Sequence, residues 1–214
     1  MARVGKSASK SAKKPGPPRG YHHGDLKAAL LEHAIAILRS EGPDALTLRG
    51  VARAAGVSSA APYRHFPDRR ALVGAVAEDG FRRLQRAMLA RATLTKGREG
   101  LKGVAVAYVE FAHENPAEYR IMFGPELAQT DDLPALRETS RSVLGLVARG
   151  IETLQETGLI GPGNAWSMAV ATWAMLHGLV MLSLDGVSAG VAPPLDELVE
   201  DATRIMMFGM AGRR

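Results

Sequence analysis

A chain of 214 residues without a single cysteine can form one large domain or two small ones, and it excludes disulfides, thiolate metal sites and cysteine nucleophiles; a reducing, cytoplasmic setting is expected. Aromatic residues make up only 5% of the chain and no segment alternates as a strand would, so an all-α fold is expected. The net charge of +5 is uneven, with six cations and no acid in residues 1–20, seven cations and five acids in 21–70, and fourteen cations and seventeen acids in 71–214, which suits a protein that offers its front to a polyanion.

Residues 1–20 are Ser, Lys, Gly and Pro with few apolar side chains, too little to bury, so a disordered basic arm is expected. No apolar run of signal-peptide length follows. A solubilising tail and an arm that follows phosphates or enters a minor groove both fit this composition. Tyr21, His22, His23 and Asp25 are metal-capable, but adjacent histidines rarely converge on one ion and no further ligand is suitably spaced. No metal is expected, and the histidines read as the entry to a helix.

A first helix is expected from Asp25 to Glu41, with Leu26, Leu30, Ala34, Ile37 and Leu38 as its core stripe and Gly42-Pro43 as its end. Thr47 to Phe66 then reads as two short helices around a glycine turn. Thr47 can cap the first, and Leu48, Val51, Ala52 and Ala55 form its apolar face. Gly56 falls at the turn, Val57 plugs the corner, and Ser58 or Ser59 is the expected cap of the second. Tyr63, Arg64 and His65 follow as donors. This is the helix-turn-helix pattern, whose second helix lies in the major groove of DNA.

Asp68 is the expected cap of a long fourth helix with Leu72, Val76, Phe81, Leu84 and Met88 inward. Thr93 to Glu99 reads as a turn, Leu101 to His113 as a helix, and Ala117 to Phe123 as a short helix after Asn115-Pro116. Gly124 to Leu133 reads as a polar, mobile loop. Pro134 opens the next helix, with Leu136, Val143, Val147, Ile151 and Leu154 inward and Gly158 as its cap. A further helix to about Leu184 and a last one from Leu195 to Met210 complete nine.

Two patterns have competing readings. Trp166 to Leu184 carries no charged residue and is long enough to span a bilayer. It holds polar residues and lacks basic flanks, so a helix buried on every side, in the body and against a second subunit, is favoured. Gly186-Val187-Ser188-Ala189-Gly190 matches the nucleophile-elbow pattern, but no strand precedes it and no aspartate and histidine follow in order, so the match reads as accidental. No constellation of catalytic spacing is present, and an enzyme is not expected.

The first helix, then T-x-R-x-V-A-x-x-A-G-V-S from Thr47, then Y-R-H-F-P and a long helix resemble the TetR (tetracycline-repressor) family of transcriptional regulators. Trp173, His177 and Gly178 resemble a subgroup with a Trp-His-Gly signature. The resemblance implies a three-helix DNA-binding head over 21–70 and a helical effector-binding and dimerisation body over 71–214. It further implies a homodimer on a palindromic operator, with a small-molecule effector, no cofactor and repression as the usual outcome. Ser58, Ser59 and Ala60 would face base edges, Tyr63 and His65 would reach phosphates, and Thr47, Arg49 and Arg69 would add backbone contacts. Met122, Phe123, Trp173, Met175, His177 and Met181 are candidates for the effector pocket. One departure is Pro62, where many relatives carry leucine; it predicts a short, late-starting recognition helix. A helical small-molecule carrier or enzyme using the body pocket is the alternative.

Overall fold

The computed structural model describes residues 23–94, 96–187 and 193–210. The basic arm, Tyr21, His22 and most of the elbow-like segment (188–190) lie outside them. Among the described residues there are eight α-helices, three short 3₁₀ turns and no strand. In order the helices are α1 His23–Glu41, α2 Leu48–Ala54, α3 Arg69–Leu94, α4 Gly97–Glu114, α5 Pro116–Met122, α6 Pro134–Glu156, α7 Ala165–Leu184 and α8 Leu195–Met210.

The expected count of nine falls to eight because the second helix of the helix-turn-helix is not α-helical. Pro62 lacks an N–H and its ring crowds the carbonyl four residues back, so an α-helix cannot run through it. The chain makes two tight turns instead. The Ser58 carbonyl accepts from the Ala61 N–H at 3.0 Å, and Pro62–Arg64 forms a 3₁₀ turn closed by the His65 and Phe66 N–H groups on the Pro62 carbonyl, each at 2.9 Å. The residue before that turn is Ala61, so neither serine hydroxyl caps it.

Caps and breakers set the other boundaries. The Gly50 N–H donates to Thr47 Oγ1 at 3.0 Å, the Ala71 N–H to Asp68 Oδ1 at 2.8 Å, and the Ser167 N–H to Asn164 Oδ1 at 2.9 Å. Gly56 turns the chain at φ 66°, a conformation only glycine adopts cheaply. α4 begins at Gly97, four residues ahead of the expected Leu101.

A single apolar core runs from Leu30 and Leu38 in α1, through Leu72, Val76 and Leu84 of α3, to Ile151, Val180 and Val199 in the body. α3 belongs to both halves. It packs on α1 in the head and on α4, α5 and α6 in the body. Two glycines on α3 let neighbours approach its backbone: a Cβ at Gly74 would lie 2.9 Å from Leu133 Cδ1, and one at Gly80 2.5 Å from Met122 Sδ. α7 is the one helix among the described residues long and apolar enough to cross a membrane. One face, with Ala165, Ala169, Thr172, Leu176 and Val180, is buried in the helical body.

Candidate nucleic-acid interface and ligand cavity

The glycine turn and Pro62 project a small polar ridge from the head. Ser58, Ser59 and Ala60 are exposed, as are Thr47 and Arg49 on the neighbouring helix start. Tyr63 is 50% exposed, with its ring outside the core. Thr47 Oγ1 accepts the Gly50 N–H, which leaves its hydroxyl proton available to an outside acceptor. Phe66 is buried in the core of the head, with Lys27 Nζ 5.9 Å from its ring centre.

Two expected phosphate contacts are placed otherwise. His65 is half-buried with its ring beside Phe66, and its Nε2 is buried with no hydrogen-bond partner, so that atom does not face solvent. Arg69 donates from Nε to the Leu46 carbonyl at 3.0 Å, from Nη2 to the Pro43 carbonyl at 2.8 Å, and from Nη1 to the Glu126 carboxylate. All three of its nitrogens have protein acceptors, so it ties the head to the loop after α5. Arg70 grips the same loop, donating to the carbonyls of Glu126 and Gln129 and pairing with Asp132 at 2.9 Å. The pair raises the guanidinium pKa of Arg70 and holds the Asp132 carboxyl below its ordinary value. The expected mobile loop Gly124 to Leu133 is therefore fastened, with Leu127 buried and Leu133 seated on Gly74.

A second tie joins head and body. Glu118 on α5 has 0% exposure. Its Oε1 accepts from Arg39 of α1 at 2.8 Å and from Arg83 of α3 at 3.1 Å. Both arginines also donate to Asn115 Oδ1, at 3.0 and 2.8 Å. Two cations thus meet one oxygen of the buried carboxylate, while Glu118 Oε2 is buried without a hydrogen-bond partner.

The other side of α5 faces a cavity of about 380 Å³. Phe81, Leu84 and Met88 of α3, Tyr108 of α4, Val143 of α6 and Leu176 of α7 form much of its wall. Of the expected pocket residues, Met122, Phe123 and Trp173 line it, whereas Met175, His177 and Met181 do not. Met175 is exposed on the outer side of α7 and Met181 packs on the core from outside the cavity. His177 Nδ1 instead ends a polar chain beside the wall. The Trp173 indole donates to Tyr108 Oη at 3.1 Å, the Tyr108 and Tyr119 hydroxyls bond at 2.7 Å, and Tyr119 Oη meets His177 Nδ1 at 2.7 Å. Burial raises both tyrosine pKa values and lowers that of His177.

Sequence reasoning missed Thr172, which lines the cavity at 5% exposure with an unpartnered Oγ1. A buried hydroxyl without a partner costs about 1–3 kcal/mol. Only the helix phase on α7 could have pointed to it.

A polar ridge on a helix-turn-helix head, joined by a shared helix to a hollow helical body, defines a class: helix-turn-helix DNA-binding regulators. The profile described as "Bacterial regulatory proteins, tetR family" matches residues 30–76, and that described as "Tetracyclin repressor-like, C-terminal domain" matches residues 101–206. The chain is 29% identical over 191 residues to the uncharacterized HTH-type transcriptional regulator Rv0681 of Mycobacterium tuberculosis, covering 87% of this chain and 82% of that protein. Among solved structures it resembles a protein of unknown function from Rhodococcus sp. RHA1, with TM-score 0.81, 36% identity, and 91% and 100% of the two chains covered. A TetR family transcription regulator from Marinobacter aquaeolei VT8 shares the fold at TM-score 0.63 and 23% identity, with 87% and 96% covered. The chain belongs to the TetR family and is a DNA-binding transcriptional regulator.

Proposed function

We propose that this regulator binds a palindromic operator as a homodimer and is released by a small molecule held in the body cavity, acting as a repressor in the cytoplasm. Residues 21–70 form the reading head and 71–214 the sensing and pairing body. The observation that carries the DNA reading is the exposed ridge of Ser58, Ser59, Ala60 and Tyr63, beside the capped start of α2. Ser58, Ser59 and Ala60 are at the base edges, while Tyr63, Arg49, Thr47 and the α2 amides hold phosphates.

Pairing is supported by the apolar residues that α7 and α8 leave outside. Val170 and Met175 on α7 and Ile205 on α8, none of which lines the cavity, are all exposed in the single chain. An apolar surface of that kind marks an interface, and a two-fold axis through it presents two heads to successive major grooves. Release follows from contacts shared by cavity and head. A ligand against Met122, Phe123, Leu127 and Thr130 touches α5 and the loop, which grip α1, α3 and Pro43 through Glu118, Arg69 and Arg70. Only a ligand that prefers one arrangement of these contacts shifts affinity for DNA.

The test starts from duplexes selected by the purified protein from a random pool. Tyr63→Ala weakens binding about 3- to 10-fold on every selected sequence, and Ser59→Asn changes the preferred sequence. Val170→Glu gives a monomer in sedimentation and loses operator binding. Unchanged binding in both head variants overturns the DNA assignment, and a wild-type monomer overturns the dimer.

A further inference from the structure

We infer that the body cavity takes a medium-length amphiphile with a single acid group at the rim formed by Arg141 and Trp166 and a second oxygen deeper in, at Thr172. The inference rests on the reading of this cavity as the effector site and names the chemistry of the effector.

Charge comes first. Lys102, Arg137 and Arg141 line the cavity, and no aspartate or glutamate does. Lys102 is paired with Glu200 at 3.4 Å and Arg137 with Asp131 at 3.1 Å. Arg141 makes no ion pair among the described residues. Its guanidinium instead lies 5.1 Å from the Trp166 ring centre, which orients it without neutralising it. A planar fork of this kind binds a carboxylate at two points.

The wall beyond the rim is mainly apolar, supplied by side chains such as Leu84, Val104, Met122 and Leu144, with the Trp173 indole and the Tyr108 hydroxyl already bonded to each other. It suits a hydrocarbon body and gives no partner to a second charge. Thr172 interrupts this wall with a hydroxyl that has no acceptor or donor in the protein. A ligand oxygen completes it. Trp166, which carries the Arg141 guanidinium, and Thr172 are six residues apart on α7, a rise of about 9 Å along the helix axis, so the acid and the second oxygen meet different depths of one ligand.

Both tryptophans of the chain, Trp166 and Trp173, line the cavity, so intrinsic fluorescence reports occupancy. The full-length protein is titrated with decanoate, ω-hydroxydecanoate, decan-1-ol and decyltrimethylammonium, with operator binding followed in parallel. Decanoate is expected to bind about tenfold more tightly than decan-1-ol, and the cationic amphiphile more weakly than either. Arg141→Gln, a change at an exposed side chain, brings decanoate to the affinity of the alcohol. The ω-hydroxyl adds about threefold in the wild type and nothing in Thr172→Val, which keeps the shape of the side chain. Equal affinity for acid and alcohol, or no effect of Arg141→Gln, overturns the acid site. No quenching by any of the four overturns the ligand class as a whole. Tight binding of the acids with no loss of operator binding leaves the ligand class standing and removes the effector reading instead.

Discussion

The cavity and the charged seam under the head meet on the same short helix, α5, and are built differently. Met122 and Phe123 face a hollow lined by side chains that can slide and repack. On the other side Glu118 and Asn115 meet Arg39 and Arg83 through bonds of 2.8–3.1 Å. Apolar contacts lose strength gradually as groups separate, whereas charge-assisted hydrogen bonds demand distance and angle. On the proposed effector reading, a graded change in the hollow would be converted to made or unmade contacts in the seam. The same division recurs one turn along, where Leu127 is buried at the cavity and the neighbouring Glu126 is held by Arg69 and Arg70.

Three measurements strain this contrast. The largest effect is expected from Glu118→Ala, which leaves Arg39 and Arg83 without their shared carboxylate. A loss of about 2–4 kcal/mol is expected, short of the upper limit for a buried pair because Arg39 is half-exposed. Calorimetry should show Tm lower by about 5–10 °C, and an unchanged Tm would remove the seam as a strut. Next is Arg70→Ala. Its partners are solvent-exposed, so global stability should change by less than about 1 kcal/mol. Amide exchange over residues 125–132 should nevertheless accelerate, and unaltered protection there would mean that Leu127 and Leu133 suffice to hold the loop.

The smallest effect concerns His177. Its imidazole has an ordinary pKa of 6.5, and burial holds it lower in the folded chain. Below about pH 6.5 the unfolded chain therefore binds more protons, and stability falls as pH drops through that window. Above it the histidine is neutral in both states and its contribution is complete. His177→Gln should flatten the slope of urea-unfolding free energy between pH 7 and 5. An unchanged slope assigns the acid sensitivity elsewhere.

Much of the architecture was legible because local chemistry determined it. Thr47, Asp68, Gly42 and Gly158 marked helix ends by capping and by positive φ, and the five inward residues assigned to each of α3 and α6 are buried. Pro62 announced a shortened recognition segment, though it removed the α-helix altogether. The cavity was only half legible. α7 is apolar on every side, so nothing in its composition marks which residues point inward, and Met175, His177 and Met181 missed the cavity while Thr172 entered it. The roles of Arg69, Arg70 and Glu118 were hidden for another reason: their partners lie 23–79 residues away, and a lone charge does not announce a distant acceptor.

α3 runs unbroken for 26 residues from the Arg69 latch to Leu94, a rod of about 39 Å. A tilt of about 5° pivoting at one end carries the other by about 3 Å, close to one base-pair step of duplex. If two such rods straddle one double helix, as the proposed dimer requires, a movement smaller than a methyl group where the rod borders the hollow becomes a whole register error.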